Sequence, residues 1–122
     1  MISHISFHSI PVTDQDRALA FWRDVMGFSV TVDADYMPGM RWIMLRPDGA
    51  QTQIHLDLVE EMPAHDKPTL PLIAPDVAAA VDRIRAGGGE ITTEPGPAPW
   101  DAGTTFAMFK DSEGNLILLA SQ

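Results

Sequence analysis

The sequence contains no cysteine, which excludes disulfides, zinc–thiolate sites and thiol nucleophiles. It also has no apolar run near the roughly 20 residues that a membrane-spanning helix needs. Its first residues lack the basic segment and apolar stretch of a signal peptide. We therefore expect a cytoplasmic protein with no membrane partner, whose chemistry depends on oxygen, nitrogen or thioether groups.

Basic residues are scarce. Eight Lys and Arg stand against 17 Asp and Glu, which gives a formal net charge of −9. Because phosphate binding needs clustered basic side chains, we expect no nucleic-acid partner. The acidic excess either keeps the protein soluble or attracts a cationic small molecule, and composition leaves both open.

Two segments of the chain resemble each other when residues 12–27 are laid over residues 74–89. Each has an apolar run, an Asp suited to cap a helix, about three helical turns and a final Gly. The identical pairs are Asp14 and Asp76, Ala18 and Ala80, Arg23 and Arg85, and Gly27 and Gly89. With hydrophobic residues at 45% of 122 positions, we predict a single domain over 1–122, built from a module at 1–60, a linker at 61–68 and a module at 69–122.

Both modules show the same order of elements, β-α-β-β-β. The first has strand patterns at 2–12, 28–32, 41–45 and 53–58 and a helix at 14–26. Its helix is expected to bury Ala18, Phe21, Trp22 and Val25. The second has strand patterns at 69–74, 90–93, 105–110 and 116–120 and a helix at 76–86. Pro95–Pro99 predicts a loop, since alternate prolines are incompatible with a central strand.

This duplicated order carries a family resemblance over essentially the whole chain. The segment Val12–Trp22 leading into Met26-Gly27-Phe28, together with the final hairpin Phe109–Leu116, resembles the vicinal oxygen chelate superfamily of glyoxalases, bleomycin-resistance proteins and extradiol dioxygenases. The resemblance implies an α+β fold in which two βαβββ modules form a paired, cup-shaped mixed sheet. It also implies that the protein is a homodimer.

Enzymes of this superfamily usually hold a divalent metal in the cup, with ligands from the first and last strands of each module. By the resemblance, those positions fall on Phe7, His55, Thr69 and Leu118. Only His55 is a good metal ligand, because Phe and Leu have no donor atom and a Thr hydroxyl is a poor ligand for Zn, Fe or Ni. We therefore expect no metal and no other cofactor. A different metal site using His55, Asp57 and a further His or Glu is the less favoured alternative.

Alternation along 53–58 places Gln53, His55 and Asp57 on one face and Ile54, Leu56 and Leu58 on the other, against the helix. The polar face either orients a ligand in the cup or is an ordinary solvated surface. His55 and Asp57 are also the candidates for a general base with its orienting carboxylate, if the two side chains touch.

The remaining histidines are not site candidates. His4 and His8 are expected on the face of the first strand opposite Phe7, and His65 lies in the linker. Aromatic and thioether side chains are the other candidates for a cup wall, namely Trp42, Met44, Trp100, Phe106 and Met108, and each is equally compatible with a structural role. The predicted ligand-binding set is Phe7, Trp42, Gln53, His55, Asp57, Thr69, Trp100, Phe106 and Leu118.

Three functions remain in order of preference. The first is a metal-independent protein that binds or sequesters a small, flat compound, either uncharged or cationic, in the cup. The second is a divergent metal-dependent lyase, isomerase or dioxygenase, in which His55 and Asp57 are catalytic. The third is an accessory subunit that acts through its surface, which an exposed apolar patch would indicate.

Overall fold

The computed structural model describes all residues 1–122 and contains eight strands and two helices. The chain divides into two compact units, Met1–Pro63 and Ala64–Gln122. The first holds β1 (Phe7–Val12), α1 (Gln15–Ala20) continued by a π-helical turn (Phe21–Val25), β2 (Ser29–Met37), β3 (Met40–Arg46) and β4 (Gln53–Leu58). The second holds β5 (Leu70–Ile73), α2 (Val77–Ala86), β6 (Glu90–Ala98), β7 (Asp101–Lys110) and β8 (Leu116–Ala120).

The two units have the same topology, which confirms the prediction of two βαβββ modules. Each contains one four-stranded mixed sheet, with strand orders β1-β4-β3-β2 and β5-β8-β7-β6. The first and last strands of each unit pair in parallel, Ser9 opposite His55 in one and Pro71 opposite Leu118 in the other. Equivalent positions of the repeat therefore have equivalent neighbours. The prediction of a single domain with a linker at 61–68 stays a prediction.

Helix α1 begins where the sequence indicates. The carboxylate of Asp14 accepts a hydrogen bond from the backbone N–H of Arg17 at 3.0 Å, which satisfies one of the free donors of the first turn. Ala18, Phe21 and Trp22 are buried as expected, whereas Val25 is only half-buried. The predicted single helix continues past Ala20 as a π-helical turn, which has more residues per turn than an α-helix and ends at Val25.

Helix α2 repeats this arrangement in the second unit. Asp76 caps it by accepting from the N–H of Ala79 at 3.0 Å, and Val77, Val81 and Ile84 form its buried stripe. A Cβ at Gly89 would overlap the side chain of Ile84, so only glycine allows the chain to turn closely beneath the helix at this position.

Several strand boundaries differ from the sequence patterns. The first strand begins at Phe7, because residues 1–6 lie outside the β1–β4 pairing. β2 extends to Met37, five residues past its predicted end at 32, and all nine of its residues are exposed. No helix of the chain is both long and apolar enough to span a membrane.

The prediction of a loop at Pro95–Pro99 is wrong. β6 continues through this stretch to Ala98, and Gly96 and Pro97 pair with Phe106 and Thr105 of β7. The strand tolerates the prolines because it is the outermost strand of its sheet, and register shifts interrupt its pairing on both sides.

Candidate functional site

The sheet of the first unit has one face that packs on the helix and one face that carries polar and aromatic groups. On β4, Ile54 and Leu56 are 4% and 0% exposed within the hydrophobic core. The alternate residues Gln53, His55 and Asp57 lie on the opposite face. The expectation that Leu58 packs against the helix is wrong, because this last residue of β4 is 57% exposed and lines the pocket described below.

Four rings form an aromatic cluster on this second face. The indole of Trp42 stacks on the imidazole of His55, with centroids 3.8 Å apart and planes inclined by 22°. Phe7 meets both of these rings edge-on at 5.8 Å, and Tyr36 meets Trp42 at 5.8 Å and 85°. Trp42 is therefore held between β1, β2 and β4, with part of its surface still accessible.

His55 is the buried polar residue at the centre of this cluster. It is 6% exposed, and its Nδ1 shares a 2.9 Å hydrogen bond with the hydroxyl of Ser9, its direct neighbour on β1. Burial lowers the pKa of His55 below its ordinary value of 6.5, and the nearby Asp57 carboxylate opposes this effect. The imidazole is thus neutral at pH 7, with one ring nitrogen as donor and the other as acceptor.

The proposed pairing of His55 with Asp57 is absent as a direct contact. Ser9 occupies Nδ1, and Nε2 of His55 has no hydrogen-bond partner within the protein. Asp57 is exposed and forms neither an ion pair nor a side-chain hydrogen bond. A general base held by an orienting carboxylate needs hydrogen-bond distance between the two groups, so this geometry does not provide one.

A pocket lies where β3 and β4 separate. The two strands pair at Met44–His55 and Leu45–Ile54. Beyond these pairs the side-chain amide of Gln15, at the start of α1, donates to the carbonyl oxygens of Arg41 at 3.1 Å and Leu56 at 3.2 Å. One side chain thus satisfies two backbone groups that a continuous ladder would otherwise pair.

The pocket has a volume of about 170 Å³ and is formed entirely by the first unit. Its walls come from the start of α1, the tip of the β2–β3 hairpin and the end of β4. The lining residues are Gln15, Tyr36, Gly39, Met40, Arg41, Trp42, His55, Leu56, Asp57 and Leu58.

Negative charges outnumber positive charges around the pocket. Arg41 donates to both carboxylate oxygens of Asp33, at 2.8 and 3.0 Å, and to Asp16 at 2.6 Å. These carboxylates raise the pKa of the Arg41 guanidinium, and Arg41 in turn lowers the pKa of Asp33. One cation is thus matched by two anions, and Asp57 adds a third carboxylate at the pocket wall.

The other predicted ligand-binding residues do not line this pocket. Gln53 accepts a hydrogen bond from Thr31 and is fixed to the neighbouring part of the sheet. In the second unit, Trp100 is 58% exposed and packs edge-on against Phe106 at 5.3 Å. Thr69 donates its hydroxyl to the carbonyl of Leu116 at 3.2 Å, and Leu118 is half-buried on β8.

Three residues of the site were missed at the level of sequence. Ser9 shares a face of β1 with Phe7, so the alternation rule applied to β1 would have found it. Tyr36, the single tyrosine, continues the apolar alternation of β2 beyond its predicted end at residue 32, so following that alternation would have found it. No local pattern identifies Gln15, because its role depends on the gap between two distant strands.

The residues at the family's metal positions do not fit a metal. Phe7 and Leu118 have no donor atom, and the hydroxyl of Thr69 is already directed at a backbone carbonyl. Across residues 1–122, no three His, Asp or Glu side chains are grouped so that they would hold a metal ion.

Comparison with known proteins defines the family. A family model described as the Glyoxalase/Bleomycin resistance protein/Dioxygenase superfamily matches residues 1–119. A superfamily member from Sphaerobacter thermophilus DSM 20745 has a crystal structure that is 30% identical, with a TM-score of 0.87 over 99% of this chain and 98% of the other. TnmS3, an antibiotic binding protein from Streptomyces sp. CB03234, is 34% identical, with a TM-score of 0.82 over 98% and 96%.

A relative named as an enzyme is also similar. The probable lactoylglutathione lyase of Vibrio cholerae serotype O1 is 28% identical over 98% of this chain and 91% of its own length. With a family model that covers nearly every residue and structures that superimpose over the whole chain, this protein belongs to the Glyoxalase/Bleomycin resistance protein/Dioxygenase superfamily.

Proposed function

We propose that this protein binds a small, flat organic molecule in the pocket of its first unit and does so without a metal. The observation that carries the proposal is the cluster of Phe7, Trp42 and His55. Two of its rings, Phe7 and His55, stand at positions where the resemblance puts metal ligands, and Trp42 stacks on His55. Aromatic side chains bind flat ligands through large contact areas and offset or edge-on ring contacts.

The groups around the cluster are better suited to binding a ligand than to catalysing a reaction. His55 offers one hydrogen-bonding nitrogen, Nε2, and Asp57 offers a carboxylate without a partner. A few polar groups in a mainly apolar wall are the usual composition of a ligand pocket. Metal-assisted activation of a carbonyl or of O₂ needs several donor atoms that this cluster lacks.

The size of the pocket limits what it encloses. At about 170 Å³ it is smaller than the roughly 300–1,000 Å³ typical of pockets for drug-sized ligands. It therefore accommodates one or two fused rings, or one end of a larger compound. The similarity to TnmS3, which is described as antibiotic binding, supports a ligand of this general kind.

The first test is a titration with quinoline, an uncharged two-ring compound, in the presence of EDTA. Binding is followed through the amide chemical shifts of pocket residues. We expect saturable shifts that EDTA does not alter. Trp42→Leu should weaken binding about tenfold, because a ring contact of about 1.4 kcal/mol is lost, whereas Trp42→Phe keeps most of it.

Two results would oppose the proposal. Quinoline shifts that disappear with EDTA would assign the binding to a bound metal. Equal affinities of Trp42→Leu and the unchanged protein would place any binding outside the aromatic cluster.

A divergent lyase is the second candidate, because the Vibrio cholerae relative is named as a probable lactoylglutathione lyase. The test is turnover in a lactoylglutathione lyase assay with added Zn²⁺ or Ni²⁺. Metal-dependent turnover that is lost in His55→Ala would favour this candidate. The shortage of donor atoms at the four family positions predicts no turnover.

A further inference from the structure

We propose that the ligand carries an ammonium group, which pairs with Asp57 while the attached ring lies against Trp42. This inference rests on the proposed function and adds the chemical class of the ligand. It follows from the local charges of the pocket, the two perpendicular rings that line it and an imidazole nitrogen that has no partner within the protein.

The first observation is the charge of the pocket wall. Arg41 and Asp57 are the two charged residues that line it. Arg41 is bound by Asp33 and Asp16, so this three-residue cluster already has a net negative charge. Asp57 has no cation of its own in the protein. An incoming cation therefore finds an unpaired carboxylate, and an incoming anion finds a guanidinium that is already occupied.

The second observation is the corner formed by Tyr36 and Trp42. Their ring planes are inclined by 85° with centroids 5.8 Å apart, in an edge-on contact, so the two rings differ in orientation. Aromatic faces attract cations, most strongly Trp and Tyr. Both residues line the same pocket as Asp57.

The third observation is independent of charge. His55 is more than nine-tenths buried and lines the pocket, yet its Nε2 has no partner within the protein. A polar atom of a mostly buried side chain is stabilised when a ligand or water supplies its hydrogen-bond partner. A ligand N–H provides the donor when Nδ1 holds the proton toward Ser9.

The test compares three probes that share one ring: benzylamine, which is a cation at pH 7, the uncharged benzyl alcohol, and the anion benzoate. Dissociation constants come from amide chemical-shift titrations of the full chain. Benzylamine should bind about tenfold more tightly than benzyl alcohol, from one cation–π contact and one partly exposed ion pair. Benzoate should bind most weakly.

Two variants with the same change of charge locate the effect. Asp57→Asn should reduce the preference for benzylamine to about twofold or less, because the ion-pair partner is removed. Asp48→Asn is the matched control. Asp48 follows the end of β3 that is remote from the pocket, and its carboxylate accepts from Ser29, so the tenfold preference should remain.

The outcomes separate this inference from the proposed function. Equal binding of benzylamine and benzyl alcohol, or a preference that survives Asp57→Asn, would overturn the ammonium assignment and leave the aromatic site standing. Failure of all three probes and of quinoline would overturn both.

Discussion

His55 has neighbours that act on its charge in opposite directions. The enclosing rings of Phe7 and Trp42 remove water from the imidazole, which disfavours the charged form, and Asp57 favours it. Burial is the larger effect, so the pKa lies below that of an exposed histidine. At mildly acidic pH, a larger fraction of His55 is therefore protonated in the unfolded chain than in the folded one.

The stability of the protein should follow from this difference. Below about pH 6.5 the unfolded state binds a proton at His55 that the folded state resists. The free energy of unfolding should fall as the pH drops through 6.5 and stop falling below the lowered folded pKa. Urea unfolding of the natural protein and of His55→Asn across this range measures the contribution. An identical pH dependence in both proteins would contradict the lowered pKa.

The side chain of Gln15, at the start of α1, bridges β3 and β4 where the two strands separate. Its amide binds one carbonyl of β3 and one of β4, and the pocket lies at the point of their separation. If an apolar side chain replaced this amide, both carbonyl oxygens would lose their donor and would have to bind water instead. The start of α1 is therefore part of the site as well as part of the fold.

Gln15→Leu should reduce the free energy of unfolding by about 2 kcal/mol, because two partly buried carbonyl groups lose their donors. It should also weaken quinoline binding, since the two strands lose their common anchor. Gln51→Leu, a matched change at an exposed position after β3, should alter neither quantity. Urea unfolding and the quinoline titration measure both effects, and equal behaviour of the two variants would refute the role of Gln15.

Local sequence patterns predicted both helices. Both helices begin at a capping Asp, and the stripe of Val77, Val81 and Ile84 has helical spacing. The lengths of two outer strands were predicted less well: β2 continues its apolar–polar alternation to residue 36, past the predicted end at 32, and β6 contains prolines. Edge position depends on pairing between distant segments, which local composition does not encode.

The same limit applies to the site. Alternation separated His55 from Ile54 and Leu56, and their burial follows that pattern. The stacking of Trp42 on His55 and the Ser9 hydrogen bond depend on the register of three strands. A one-residue change of register would reverse every face, so only the structure assigns these contacts.

At the scale of the whole molecule, the two units keep one topology and differ in the side chains placed on it. Ser9 and His55 of the first unit correspond to Pro71 and Leu118 of the second, which have no polar side chain. The pocket of the first unit therefore has no chemical equivalent at the matching positions of the second. Duplication preserved the sheets while the sites diverged.

Metal ions should not stabilise the folded protein. A ligand that binds the folded state raises the melting temperature by mass action, and a specific metal centre would do so strongly. We expect EDTA, Zn²⁺ and Ni²⁺ each to change the melting temperature by less than about 1 °C. A rise of several degrees that is lost in His55→Ala but kept in His4→Ala, a change at an exposed histidine, would indicate a metal centre built around His55.

The prolines of β6 have a consequence for self-association. An outer strand normally offers a row of free N–H and C=O groups on which another chain can add a strand. Pro95 and Pro97 have no N–H, and the register shifts around them bend the backbone, so β6 is an incomplete template for such addition. β2, at one edge of the other sheet, also has register shifts in its pairing, but it has no proline and exposes Val30, Val32 and Met37. β2 therefore keeps every backbone N–H group that β6 loses at its prolines, and it is the more complete template for the addition of a strand.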